Sequence, residues 1–158
     1  MQSHTKQAGF TLTEIIITMA MFAAVGSLSI IVGLDTYRNF IFRSQRDTLV
    51  MALLAARSQA VNNICFGSSC TDGKPHGVAI LTGQYVIFQG ASYASRDAAF
   101  DQAFQANTLV NHLGASEVDF AQLSGQAITV PSSPSSITLR DAAHSDNINI
   151  NKAGMIDW

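Results

Sequence analysis

Residues 9–14 read Gly-Phe-Thr-Leu-Thr-Glu, and the uncharged apolar run Ile15–Leu34 follows them directly. The run contains 20 residues, and about 20 apolar residues in a helix are enough to span a bilayer. The sequence therefore predicts a membrane-spanning helix at this point of the chain. Glu14 places one carboxylate at the start of that helix, where a charge is costly unless it is paired. We therefore expect Glu14 to meet a positive charge on a neighbouring molecule.

This combination resembles the prepilin-type N-terminal signal of type IV pilins and of the pseudopilins of type II secretion. In that family a short leader ends in glycine, a membrane peptidase cuts after the glycine, and the new N-terminal residue is N-methylated. The resemblance implies a leader at 1–9, cleavage between Gly9 and Phe10, and methylation of Phe10. It also implies that Glu14 pairs with the N-terminal amine of a neighbouring subunit. The expected partners are the prepilin peptidase and other pilins or pseudopilins in a helical filament.

A secretory signal peptide and a plain membrane anchor are the alternatives. A signal peptide has an apolar core of about 7–15 residues before its cleavage site, whereas here the apolar run follows the Gly9–Phe10 junction. A plain anchor would have the right length, but it gives no reason for Glu14. The prepilin resemblance is therefore preferred. It implies a single-pass inner-membrane protein with its head domain in the periplasm.

The apolar run continues without a proline into an amphipathic segment, in which Val50, Leu53, Leu54 and Val61 recur at helical spacing. We therefore predict one helix from Phe10 to Asn63. The domain organisation expected from this pattern has four parts. They are a leader at 1–9, a transmembrane half of the helix at 10–34, an amphipathic half at 35–63 and a β-rich head at 64–158.

Beyond Asn63 the pattern becomes that of short strands separated by turns. Strands are predicted at 77–81, 85–89, 118–123, 126–130, 137–140, 147–150 and 155–158. Phe100 and Phe104 are four residues apart, and this spacing predicts one short helix that contains both residues. The order of one long helix followed by antiparallel strands predicts an α+β fold. In it, the helix packs on an antiparallel, β-sandwich-like head.

The end of the predicted helix resembles one branch of the prepilin family. Residues 54–60 read Leu-Ala-Ala-Arg-Ser-Gln-Ala, which is similar to the helix-end pattern of the GspH/FimT-like minor pseudopilins and minor pilins. That resemblance implies a sandwich head and a role in initiating or capping a short filament. Met155, Ile156 and Trp158 at the C-terminus are expected to close the core, with an exposed contact for an adjacent subunit as the alternative.

Two cysteines, Cys65 and Cys70, enclose four residues. An exported domain meets an oxidising compartment, so a disulfide between them is expected. A pair of free thiols and half of a metal site are the alternatives. Structural zinc takes four ligands, and adding His76 to the cysteines leaves the set one ligand short.

The charge balance and the motifs limit the other classes of function. The chain has 9 basic and 11 acidic side chains, and removing the leader with Lys6 lowers the net charge from −2 to −3. Nucleic-acid binding needs a basic patch, and the C-terminal part offers only Arg140 and Lys152. A DNA-binding minor pilin for DNA uptake is therefore the alternative function, and nucleic acid is not an expected partner.

No catalytic or metal-binding pattern is present in the sequence. The histidines are His4, His76, His112 and His144, and their spacing suggests neither a metal site nor a proton relay. No serine lies in a Gly-x-Ser-x-Gly motif. We therefore expect neither an enzyme nor a cofactor.

Overall fold

The computed structural model describes residues 9–68, 70–128 and 135–158, with side chains throughout except at 28–32 and 135. The chain divides into two compact units, one ending at Asn39 and the other covering Phe40–Trp158. Nearly all of the predicted leader, and the last two residues of the predicted strand 126–130, lie outside the described residues.

One helix, α1, covers Leu12–Val61 and contains 50 residues. It begins there because Thr11 caps it: the Glu14 backbone N–H donates to Thr11 Oγ1 at 3.3 Å. A threonine followed three residues later by glutamate is the capping-box sequence. The predicted N-terminal boundary at Phe10 is therefore two residues early. Within the described residues, no stretch of helix combines the length and the apolar character that crossing a membrane requires.

The C-terminal end of α1 is set by Asn63, whose φ of 55° lies in the left-handed region. The Asn63 N–H donates to the Ala60 carbonyl at 3.2 Å, and the Ile64 N–H donates to the Gln59 carbonyl at 3.0 Å. These are the two hydrogen bonds of a Schellman motif, in which the left-handed residue ends the helix. The prediction of one continuous helix is confirmed, and its last residue is Val61 rather than Asn63.

In the described part of the second unit, eight strands form two antiparallel sheets. The strands are β1 (His76–Leu81), β2 (Gln84–Gln89), β3 (Gln102–Gln105), β4 (Asn111–Gly114), β5 (Glu117–Phe120), β6 (Ser135–Arg140), β7 (Ser145–Ile150) and β8 (Ile156–Asp157). The first sheet has the order β3-β2-β1-β5, and the second has the order β4-β6-β7-β8. Two 3₁₀ turns, Tyr93–Ser95 and Ala98–Phe100, lie between β2 and β3. The predicted α+β class with antiparallel strands is confirmed, and the sandwich arrangement stays a prediction.

Side chains from both sheets and from the second half of α1 form one core. The buried members from α1 are Phe42, Leu49, Val50, Ala52, Leu53, Ala56 and Ala60. They pack with buried residues of the first sheet, such as Tyr85 and Phe120, and of the second sheet, such as Ile137 and Ile148. The predicted amphipathic face is therefore partly right. Val50 and Leu53 are buried, whereas Leu54 and Val61 are exposed.

The opposite face of the first sheet is covered as well. Ala79, Val86 and Phe88 form a second buried cluster, against which Tyr93 packs. The ring of Tyr93 also meets the edge of the Phe88 ring, with centroids 5.6 Å apart. Strands β1 and β2 are therefore buried on both faces, which accounts for their nearly continuous apolar sequence.

Two local predictions are wrong, and a third is tested only in part. Phe100 ends a 3₁₀ turn and Phe104 lies in β3, so the pair does not form a helix. Of the predicted strand 126–130, the described residues show only a single bridge, between Ala127 and Phe120. Met155 and Trp158 are exposed rather than buried. Strand β4 was not predicted at all, because its sequence Asn-His-Leu-Gly shows no strand pattern.

Candidate functional site

The predicted processing site lies just before α1. Gly9 and Phe10 are not part of the helix, and the Phe10 side chain is 81% exposed. The helix starts only two residues after Phe10. A peptidase can therefore reach the Gly9–Phe10 bond without unwinding α1.

Glu14 has a clear local role in addition to any role in assembly. It is the third residue of α1 and is exposed. Its backbone N–H is held by Thr11, and a carboxylate in the first turn also interacts favourably with the helix dipole. Within the described residues, the Glu14 carboxylate forms no ion pair.

The helix surface beyond Glu14 is apolar on all sides. The large exposed residues here are Leu12, Ile15, Ile16, Ile17, Met19, Met21, Phe22 and Val25. Two hydroxyls in this stretch donate to the preceding turn: Thr18 to the Ile15 carbonyl at 2.9 Å and Ser27 to the Ala24 carbonyl at 2.8 Å. These bonds satisfy the hydroxyls without water. A continuous exposed apolar surface of this kind needs a lipid or protein environment.

The structure pairs Cys65 with Cys70, and their Cα atoms are 5.9 Å apart. That separation lies within the range a disulfide requires. Oxidation of the pair in the exported protein stays a prediction, which the mass of the intact chain before and after reduction would test. The metal alternative finds no support among the described residues, where no three metal-binding side chains converge.

Gln89 holds the Cys65–Cys70 loop against the first sheet, a role that no sequence pattern indicated. Its side chain is buried. Its Oε1 accepts from the Phe66 N–H at 2.8 Å, and its Nε2 donates to the Phe66 carbonyl at 2.9 Å. The amide group thus satisfies both backbone groups of one loop residue, as a neighbouring strand would.

We expect Gln89→Met to lower the free energy of unfolding by about 1–3 kcal/mol, because it leaves the Phe66 N–H and carbonyl without partners. Urea unfolding of the purified full chain would measure this. Gln105→Met is the matched control. Gln105 is also a strand residue but is exposed, so its replacement should cost less than about 0.5 kcal/mol. Equal effects of the two substitutions would contradict the role assigned to Gln89.

A hydrogen bond between the two sheets lies beside a small cavity. Tyr85 Oη in β2 and His112 Nε2 in β4 are 2.6 Å apart, and the two rings meet edge to face. His112 also lines a cavity of about 190 Å³, whose other polar walls are Thr82, Thr108 and Asn111. Burial lowers the pKa of His112 and raises that of Tyr85. Both groups are therefore neutral near pH 7, and the pair joins the sheets without a charge.

His76 is a second buried histidine. Its Nδ1 lies 3.0 Å from the Lys74 carbonyl, and its Nε2 is buried without a partner among the described residues. Burial lowers its pKa despite the hydrogen bond to Lys74. His76 lies in β1 and His112 lies in β4. His4 lies outside the described residues.

We expect the head to lose stability as the pH falls below about 6.5, the ordinary pKa of histidine. The folded-state pKa values of His76 and His112 are both lowered, so the unfolded chain binds more protons than the folded one. Stability is therefore complete above that pH and declines toward the folded pKa values, by at most about 1.4 kcal/mol per pH unit for each histidine. Urea unfolding at several pH values would measure the slope. It should be shallower in His112→Gln, and an unchanged slope would contradict this origin.

The basic side chains named for DNA binding are few and dispersed. Arg140 and Lys152 are exposed, but Arg140 ends β6 and Lys152 lies in the turn between β7 and β8. The surface carboxylates Asp146 and Asp157 lie on the strands next to them. This arrangement gives no continuous basic stripe along the described part of the second sheet.

Comparison with known proteins bears on the N-terminal region alone. The family model for the prokaryotic N-terminal methylation motif matches residues 4–30, a range that includes Gly9, Phe10 and Glu14. No curated protein and no solved structure matches the chain. The motif indicates a type IV pilin-like subunit that is a substrate of prepilin peptidase and assembles with other pilins. It also favours a structural role over a catalytic one.

Proposed function

We propose that this chain is a minor pseudopilin or minor pilin, which helps to initiate or cap a type II secretion pseudopilus or a type IV pilus. The observation that carries the proposal is the methylation motif at residues 4–30, joined to an α1 whose first turns expose an apolar surface and one carboxylate. In this role the chain is a structural subunit and catalyses no reaction.

In the proposed pathway, prepilin peptidase cuts after Gly9 and Phe10 becomes the methylated N-terminus. The exposed position of both residues outside α1 supports this. The amine created on Phe10 is positively charged, and it pairs with Glu14 of a neighbouring subunit. Opposite charges attract strongly where the effective dielectric constant is low, so the pair forms best in an apolar environment.

Before assembly, the uncharged run Ile15–Leu34 holds the chain in the inner membrane as a single span. The basis is the sequence of the run, which includes residues 28–32, whose side chains lie outside the described part. The helical backbone satisfies its own hydrogen bonds in lipid. The head at 64–158 then lies in the periplasm, where the Cys65–Cys70 disulfide would be stable.

The place of the chain among minor subunits rests on its helix end and its head. Residues 54–60 resemble the corresponding segment of GspH/FimT-like proteins, and the head consists of two antiparallel sheets. The alternative of a DNA-binding minor pilin has less support, because the cations that it would use, Arg140 and Lys152, do not form a patch.

Processing provides the direct test of this proposal. When the full chain is produced with prepilin peptidase, we expect a mature protein that begins with N-methylated Phe10. In Gly9→Val, the leader should remain attached, because the peptidase needs the small residue before the cut. Mass spectrometry of the intact protein distinguishes the two products. A mature chain that begins elsewhere, or one that is never cut, would contradict the proposal.

A further inference from the structure

Arg57 differs from two other arginines of the second unit, Arg46 and Arg96, which have ion-pair partners among the described residues. Arg46 pairs with Asp47 and Asp146, and Arg96 pairs with Asp101. Arg57 is half-buried, and its Nε is fully buried without a hydrogen-bond partner in the described part of the chain. A buried N–H group of a charged side chain is rarely left unpaired, because the lost hydration is not replaced.

Two glycine turns fix the position of the Arg57 side chain. Gly125 and Gly154 have φ values of 63° and 74°, which favour glycine. A Cβ atom on Gly154 would lie 3.0 Å from Arg57 Nε, and one on Gly125 would lie 3.4 Å from it. Both turns thus pack directly against the Arg57 side chain. A side chain held in this way loses little further conformational freedom when it binds a partner.

Exposed apolar side chains occur on all three segments around Arg57. Val61 lies one helical turn further along α1, Leu123 precedes the Gly125 turn, and Met155 follows Gly154. Leu123 is 65% exposed and Met155 is 63% exposed. The φ of Leu123 is 63°, and its N–H donates to the Ala60 carbonyl at 2.9 Å. An ordinary residue held in a left-handed conformation with its apolar side chain exposed points to a functional constraint.

We propose that Arg57, Val61, Leu123 and Met155 form a docking surface, here called the Arg57 surface. Its occupant is a protein segment that presents one carboxylate between apolar side chains. A carboxylate can accept two parallel hydrogen bonds from a guanidinium group, and the apolar side chains would exclude water from that ion pair. The inference concerns only the second unit, Phe40–Trp158, and does not require the filament role.

Nucleic acid fits this surface less well than a protein does. Lys152 lies on the same turn as Gly154 and is exposed, so the local charge is positive. However, binding to phosphates gains from several dispersed cations, whereas the segments around Arg57 carry the exposed apolar side chains of Val61, Leu123 and Met155. The apolar neighbours therefore favour a protein partner, and a nucleic-acid adduct is a distinct outcome of the test below.

The test uses the full chain in cells, with a photoactivatable residue in place of Leu123. We expect an adduct with a protein, and the cross-linked peptide should contain Asp or Glu. Arg57→Met keeps an unbranched apolar stem but removes the guanidinium group, so it should lower the adduct yield about tenfold. Arg140→Met is the matched control, because Arg140 is an exposed arginine of the head. Its adduct yield should equal that of the parent chain.

An equal adduct yield in Arg57→Met would overturn the proposal, and so would a cross-linked peptide without a carboxylate. An adduct only with nucleic acid, or no adduct at all, would also overturn it. Protease resistance of the head reports whether Arg57→Met folds. If it does not fold, the partner carboxylate identified by the cross-link is replaced by its amide while Arg57 is kept, and the same tenfold loss is required. Cleavage after Gly9, measured in the same samples, reports separately on the filament role.

Discussion

Glu14→Gln is expected to lower the amount of mature chain recovered in filaments about tenfold or more. Without the carboxylate, the Phe10 amine of the neighbouring subunit would have no counter-charge in the apolar surroundings. An unpaired charge there costs about 2.5–3.5 kcal/mol on insertion scales, and about 1.4 kcal/mol corresponds to a factor of ten. The measurement is the ratio of filament-bound to membrane-bound mature chain, with detection by antibody against the head.

Glutamine is the informative replacement because Glu14 also belongs to the capping box of α1. Glutamine serves at this position of a capping box as glutamate does, and the Glu14 backbone N–H would still donate to Thr11. The interaction with the helix dipole would weaken by only about 0.3–1 kcal/mol. A large defect in Glu14→Gln would therefore come from the missing charge and not from a helix that begins elsewhere.

Asp35→Asn is the matched control for Glu14→Gln. Asp35 is an exposed carboxylate of α1, and it immediately follows the apolar run. If its removal lowers filament recovery as much as that of Glu14, the defect is a general effect of charge. If Glu14→Gln enters filaments as well as the parent chain does, the proposed pairing with Phe10 is wrong. Counting only chains cleaved after Gly9 separates assembly from processing.

The elements that the sequence predicted well are those with local signals. Thr11 at the start of α1 and Asn63 at its end each act on backbone groups within a few residues. In the β1–β2 hairpin, one apolar run precedes Thr82 and Gly83 and a second one follows them. Gly83 has the φ of 82° that the turn needs. Such features depend on neighbours in the chain, so a single sequence is enough to recognise them.

The elements that were missed depend on distant partners. Strand β3 pairs with β2 and β4 pairs with β6, but their own sequences show no clear alternation. The predicted core face of α1 differs from the observed one for the same reason, since the burial of a helical residue is decided by the sheets that pack against it. Gln89 and Arg57 gave no sequence signal, because their roles come from Phe66 and from the turns at Gly125 and Gly154.

Leu53→Ala is expected to lower the free energy of unfolding by about 2–5 kcal/mol, the usual range for removing a buried leucine. Leu53 is 0% exposed and belongs to the core that α1 shares with both sheets. Its truncation would leave a cavity in this core. For a domain with a typical stability of about 5–15 kcal/mol, this loss is a large fraction of the total.

Leu54→Ala is the matched control for Leu53→Ala, because the two leucines are adjacent in the same helix. Leu54 is 43% exposed, and alanine has the higher helix propensity. Its replacement should therefore cost less than about 1 kcal/mol. Urea unfolding of the full chain in detergent, followed by the fluorescence of Trp158, would measure both variants. Equal losses of unfolding free energy in the two variants would mean that Leu53 is not part of the core that α1 shares with the sheets. The packing of the helix on the sheets would then need to be reconsidered.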